Sequence, residues 1–308
     1  MTAEKKTKTI EVKHNKNSKT RTLFILCCVT LPIIQFLVFY VYTNASSIVL
    51  AFTNVSGEFT LDNFKRFFKE FSLETSSIRI AFRNTLLTFG ILFITFPFKT
   101  LVSYFLYKKI PGHKVYRILF FLPMVIFSIC TTLMFTRIVG ATSFVAKAVG
   151  EWLHLGYTPD LLGDSRFANT VVIVHLLWLG FPGDLIIWGG TFARIPGDMF
   201  EAGRVDGTNW WSEFTRIVVP LIWPTLALKM VLLFCTIFSA TGAVFLLTRG
   251  AYGTMTLQAW QYIQLVDNTS TAAYNYLSAV GLLLSIVAIA ISLTVRKITD
   301  KYFSDVEY

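Results

Sequence analysis

Long stretches of this chain carry almost no charge, and short polar segments divide them. Six such stretches are legible: Thr22 to about Tyr42, about Ile80 to Tyr107, Val115 to Val139, Asn169 to Phe192, Leu221 to Leu247 and Tyr276 to Val295. About 20 apolar residues suffice for a helix, rising about 1.5 Å per residue, to cross a hydrocarbon core of about 30 Å. The stretches lack the two-residue alternation of barrel strands, so a helix is the arrangement that satisfies their backbone in lipid. The pattern predicts an all-α, polytopic membrane protein with about six transmembrane helices. It divides into a basic tail over 1–21, a membrane domain over 22–298 and a short tail over 299–308.

The polar segments set an orientation. Lys5, Lys6, Lys8, Lys13, Lys16, Lys19 and Arg21 make the first tail basic, Lys108, Lys109, Lys114 and Arg117 cluster around the segment after the second stretch, and Arg296, Lys297 and Lys301 follow the sixth. Basic residues are retained on the cytoplasmic side, so both termini, the 108–114 loop and the 193–220 loop are expected inside. The expected external loops 140–168 and 248–275 hold only Lys147, Arg166 and Arg249. The segment before the second stretch departs from this rule. Its Lys65, Arg66 and Lys69 alternate with Phe64, Phe67, Phe68 and Phe71 at helical spacing, which predicts an amphipathic helix along the membrane surface. Ala141 to Trp152 has the spacing of a short external helix.

Composition agrees. Of the 308 residues, 54% are hydrophobic and 15% charged, against roughly 45–50% and about 25% in soluble domains. The net charge of +10 flanks apolar runs rather than forming one patch, which argues against nucleic-acid binding. Cys27, Cys28, Cys130 and Cys235 all lie inside apolar runs and read as small buried hydrophobes. No metal-ligand spacing or disulfide framework is present, and no cofactor is implied. The first apolar run is full length with no A-x-A site after it, so it reads as a span rather than a cleaved signal.

The most informative segment is the polar interruption 194–224, RIPGDMFEAGRVDGTNWWSEFTRIVVPLIWP. Pro196 and Asp198 suit the start of a helix, Gly207 its end, and Thr208 or Asn209 the cap of a second helix. Trp210, Trp211, Phe214 and Ile217 share one face of that second helix, and Pro220 and Pro224 mark a turn into the fifth span. So many aromatics outside the bilayer need a surface to pack on, either a partner or this chain's own helix ends.

The spacing here resembles the EAA signature of ABC importer permeases, E-A-A, three residues, G, nine residues, I-x-L-P. This chain has Glu201-Ala202-Gly203, then Gly207, Ile217 and Val219-Pro220. Asp206-Gly207 is similar to the form found in carbohydrate uptake permeases of the maltose and glycerol-phosphate type. Gly203 replaces an Ala and Val219 a Leu. Gly203 costs about 1 kcal/mol of helix propensity but keeps the surface small for a close-approaching partner. Phe59 to Phe64, Asn84-Thr85-Leu86, and Leu247 to Leu257 resemble further family segments, although Gly250-Ala251-Tyr252 stands where the family usually has Gly-Gly-Pro.

The resemblance implies a type I ABC importer permease fold in the cell membrane, with a cytoplasmic coupling helix docked on an ATPase. Glu201 is the implied charged contact, Ala202 and Gly203 the close-approach surface and Gly207 the elbow, with Asp206, Trp210, Ile217 and Pro220 completing the element. It also implies a second homologous permease, two ATP-binding subunits, an extracellular solute-binding protein and a sugar substrate. The chain has no G-x-x-x-x-G-K-[ST] phosphate loop, so it is expected to be no enzyme and to draw energy from a partner's ATP hydrolysis.

For the substrate path, ionisable groups inside spans are functional hypotheses by default. Asp184 can pair with Lys99 or Lys229. Alternatively both lysines snorkel to the interface and Asp184 caps a helix broken near Gly180-Phe181-Pro182-Gly183. A structural role for Asp184 is preferred. Trp178, Trp188, Gln35 and His175 are further path candidates, since sugar sites combine aromatic faces with hydrogen-bonding groups. Two other classes compete: a permease for another polar solute such as a polyamine, glycerol-phosphate or amino acid, and a membrane enzyme or secondary transporter. No clustered acid, base or metal ligands of an enzyme appear, and the short length argues against the inverted repeats of a secondary transporter.

Overall fold

Five of the apolar runs form helices long and apolar enough to cross a bilayer, and a bent helix pair supplies a sixth crossing when counted as one span. The computed structural model describes residues 18–239 and 243–302; residues 1–17 of the basic tail and 303–308 of the C-terminal tail lie outside the described residues. α1 (Ser18–Phe36) runs through a π-helical stretch (Leu37–Tyr42) into α2 (Thr43–Ala51). α4 (Ser77–Tyr107), α8 (Ala168–Phe192) and α14 (Thr271–Tyr302) are the other long helices. The remaining long span starts with α10 (Trp210–Glu213), passes through π-helical Phe214–Val218 and continues as α11 (Val219–Cys235). The chain is thus an all-α, multi-pass membrane protein.

Three spans differ from the sequence expectation. The third is two helices, α5 (His113–Val125) and α6 (Ser128–Val139), bent 110° apart. The extended backbone of Ile126 and Phe127 separates them. Pro123 weakens the last turn of α5 by removing a donor, yet Pro32, Pro97 and Pro182 sit inside unbroken helices, so proline alone does not fix the break. The fifth span begins eleven residues early, at Trp210, and ends at Cys235 instead of Leu247. Pro220 and Pro224 mark no turn: the helix continues through both. The widened π stretch lies where the Pro220 ring lacks its N–H, which relieves the clash with the preceding turn. The region around Gly180 to Gly183 is unbroken helix, so Asp184 caps nothing.

The cysteines correct a second expectation. Cys27, Cys28, Cys130 and Cys235 are all exposed on the protein surface. Apolar side chains of a span are removed from water by lipid as well as by protein, so an apolar run does not signal contact with the rest of the chain. The span Phe24–Ala51 is the extreme case, with none of its central window buried.

The segments between spans pack on the bundle. α3 (Asp62–Ser72) turns Phe67 into a cluster with Ile78, Ala81, Leu257, Trp260 and Tyr276. Its charges are largely paired: Lys65 with Asp62, and Arg66 with Glu70, which accepts from the Tyr276 hydroxyl. α7 (Phe144–Trp152) is the expected short helix of the 140–168 segment. Asn63 donates to the carbonyls of Ala51 and Thr53, and Asn275 to those of Thr53 and Asn54, closing the end of α2. Asn84 on α4 donates to the carbonyls of Gly253 and Met255, and the Thr85 hydroxyl accepts the Leu257 N–H at the start of α13 (Leu257–Asp267). These asparagines satisfy irregular backbone that no helix ladder reaches.

Candidate functional site

The segment 194–224 folds as α9 (Gly197–Val205) followed by the helix that begins at Trp210. Pro196 sits just before α9 and Asp198 in its first turn. Gly207 adopts φ +71°, the left-handed conformation that costs a side-chain-bearing residue most. The Thr208 N–H then reaches the Gly203 carbonyl (3.0 Å) and the Gly207 N–H the Arg204 carbonyl (3.1 Å), the paired bonds of a Schellman stop. The Thr208 hydroxyl adds a third bond, to Gly203 O (2.7 Å), and Asn209 caps the next helix by accepting the Ser212 N–H (2.8 Å). Two helices are thereby held at a fixed elbow.

The two faces of α9 differ. Phe200 and Gly203 point inward and are buried, whereas Glu201, Ala202, Arg204, Asp206 and Gly207 are exposed. Val205 is 87% exposed and Met199 43%. A Cβ on Gly203 would stand 2.8 Å from Ile217 Cδ1. The missing side chain at position 203 therefore serves contact with this chain's own Ile217, a correction to the expectation that it serves a partner.

Phe200 of α9 joins a cluster with Tyr104 of α4, Trp188 and Phe192 of α8, Phe214 and Val218 of the π-helical stretch and Ile222 of α11. The loop's inward aromatics thus pack on the chain's own helix ends. Trp210 and Trp211 remain about half exposed (both 53%), with Trp210 tilted against Phe105. Sequence reasoning missed Glu213. It is 5% exposed, accepts from the Tyr104 hydroxyl (2.7 Å) and pairs with Lys108 (2.5 Å), whose ammonium also lies 4.8 Å from the Phe200 ring centre. Pro220 sits in the first turn of α11.

The path candidates divide. Lys99 reaches Asp184 Oδ2 (3.1 Å) and Lys229 reaches Oδ1 (2.8 Å), so neither lysine snorkels and one carboxylate ties α4, α8 and α11 together. A cavity of about 210 Å³ opens beside this triad. Trp188 is fully buried against Phe96 and Phe192, away from any opening. His175 is fully buried with its ring 4.7 Å from that of Phe135, and Trp178 packs on the same phenylalanine. Gln35 lies on exposed α1. The structure brings Lys99 and Asp184 together and leaves the other four outside that cavity.

Known proteins align with this arrangement. No protein-family model matches the chain. It is 27% identical over 194 residues to the maltose/maltodextrin transport system permease protein MalF of Vibrio vulnificus, covering 61% of this chain and 36% of that protein. The maltodextrin transport system permease proteins MdxF of Bacillus subtilis (27% over 209 residues, 63% and 47% covered) and MalC of Streptococcus pneumoniae (28% over 203 residues, 61% and 46%) are similar. The match thus spans between 36% and 47% of these curated relatives' own length. Among solved structures, a chain of a bacterial ABC transporter involved in the import of the acidic polysaccharide alginate superposes with a TM-score of 0.77, at 20% identity, covering 93% of this chain and 98% of that one. A second structure of a bacterial alginate ABC transporter, with an alginate pentasaccharide-bound periplasmic protein, gives 0.74 at 21% identity, covering 92% and 98%. By sequence the chain is similar to maltose/maltodextrin transport system permease proteins, and its fold is that of a chain in the alginate ABC transporter structures.

Proposed function

We propose that this chain is the permease subunit of an ATP-driven importer of a sugar or oligosaccharide, and that α9 is the joint on which an ATPase subunit acts. One observation carries the reading. α9 presents Glu201, Ala202 and Val205 outward while its other face is clamped through Phe200 to the ends of α4, α8 and α11. A load on the outer face is delivered to three spans at once. The Lys108–Glu213–Tyr104 contacts stiffen that connection, because charge-assisted bonds in a buried setting hold geometry more firmly than apolar packing alone.

In this reading the chain sits in the cell membrane with both termini and α9 in the cytoplasm, as its basic loops suggest. It pairs with a second, homologous permease, two ATP-binding subunits that hydrolyse the ATP, and an extracellular binding protein that delivers the sugar to the α7 and α13 side. The maltodextrin permeases among its relatives support a saccharide cargo. The EAA-like spacing around Glu201 supports the docking role.

The test is reconstitution of the assembled transporter in proteoliposomes, reading ATP hydrolysis and sugar uptake together. Glu201→Lys is expected to abolish sugar-dependent stimulation of hydrolysis, or to prevent the ATPase from co-purifying. Wild-type stimulation and uptake in Glu201→Lys would remove the docking role.

A further inference from the structure

Two ammonium groups and one carboxylate meet between three apolar helices of this protein. Lys99 lies eight residues before the end of α4, and Asp184 eight before the end of α8. At about 1.5 Å per residue this places the cluster about 12 Å along the helices from those ends. Each Asp184 oxygen is taken by a different lysine. Among the described residues of the crossing helices, the other acidic groups are Glu213, paired with Lys108, and Asp300, paired with Arg296, so neither is spare for the triad. One positive charge is therefore left over.

A surplus charge among apolar helices is costly unless a counter-charge reaches it. The triad does not face a flat surface: it lines the cavity of about 210 Å³, whose other walls are Leu92, Phe96, Leu232, Leu233 and Thr236. Room for one pyranose ring, an aromatic face and a net positive charge are together the chemistry that recognises an acidic saccharide.

We infer that the cargo is an anionic oligosaccharide, and that Lys229 and Lys99 receive its carboxylate or phosphate while Asp184 holds the two ammonium groups in place. This rests on the sugar-importer reading above and narrows it to a substrate class. The three helices that carry the triad are those whose ends pack under α9. Motion imposed there shifts the ammonium groups relative to one another, so the anion is held in one state and released in the other.

The assembled transporter with its binding protein, in proteoliposomes, supplies the test. Two panels are offered together: acidic oligosaccharides from partly hydrolysed pectin and hyaluronan, and neutral ones from partly hydrolysed starch and mannan. Mass spectrometry of the vesicle lumen identifies what enters. Wild-type vesicles are expected to accumulate acidic species. Lys229→Met, which leaves a neutral Lys99–Asp184 pair, is expected to lower that uptake about tenfold or more, the equivalent of one charge-assisted contact. Lys229→Arg, which keeps the charge, is expected to restore most of it.

Entry of neutral sugars alone, unaffected by Lys229→Met, would overturn the anionic cargo and leave sugar import standing. Entry of nothing from either panel, with ATP still hydrolysed, would overturn both. Loss of the partner subunits from purified Lys229→Met, with Lys229→Arg intact, would assign the charge to a subunit contact and overturn the inference.

Discussion

Gly203 shows how one missing methyl group can be decided by the chain itself. A Cβ there would stand 2.8 Å from Ile217 Cδ1, the tip of a side chain that must shift to make room. Gly203→Ala restores the more usual residue of the EAA pattern and adds helix propensity, yet is expected to lower the melting temperature of the purified protein. Gly203→Ala with Ile217→Val, which shortens the opposing side chain, is expected to regain it. A stable Gly203→Ala single variant would show that the elbow yields easily. Glu213 is a second case. Glu213→Gln keeps the shape but loses the charge that pairs with Lys108, at a cost of about 1–3 kcal/mol. Combined with Lys108→Met, the loss is expected to be less than the sum of the two single losses. Additive losses in thermal unfolding would mean that the pair is not coupled. Glu213 was illegible in the sequence because Tyr104 and Lys108 lie 109 and 105 positions away. Asp184 was legible because a carboxylate in an apolar run is a signal by itself. That Lys99 and Lys229 both reach it at once was not, since depth along a span says nothing about which face a side chain takes.

At the scale of elements, what the sequence conveyed depended on how local the cause was. The stop of α9 was readable because it rests on one residue's φ angle and on bonds made within five residues. Gly207→Val is expected to destabilise the elbow by roughly 1–2 kcal/mol, and Gly207→Asn by less, because a short polar side chain tolerates the left-handed region. Equal effects of the two on sugar-stimulated hydrolysis would argue that the conformation at position 207 is not what matters. The break between α5 and α6, and the continuous helix through Pro220 and Pro224, were not readable. Proline removes one donor wherever it stands, and whether the helix bends depends on packing and on the neighbouring turn. The asparagine bridges are tertiary in the same way. Asn84→Ala would leave the Gly253 and Met255 carbonyls without their donor, and is expected to speed hydrogen exchange in 248–257 without changing exchange at α9. Unchanged exchange in 248–257 would show that the segment is held by other contacts.

For the whole molecule, hydropathy conveyed the number and rough position of the spans, but not which of their faces meet protein. All four cysteines lie on apolar helices and all four are exposed, because the bilayer replaces a protein core as the apolar environment. The assembled picture is a chain of contacts. α9 grips the ends of α4, α8 and α11 through Phe200, Phe214 and the Glu213 pair, and those same three helices carry Lys99, Asp184 and Lys229. Shared helices are how the proposed joint at α9 would move the proposed substrate site. The central claim, that the outer face of α9 is covered by an ATPase subunit, is most directly tested by accessibility. Val205, at 87% exposed, is replaced by cysteine in a variant lacking the four native cysteines, and labelling by a membrane-impermeant maleimide is followed in inverted vesicles with and without the ATPase subunits. The account predicts rapid labelling of the permease without the ATPase and strong protection with it. Equal labelling in both would contradict it.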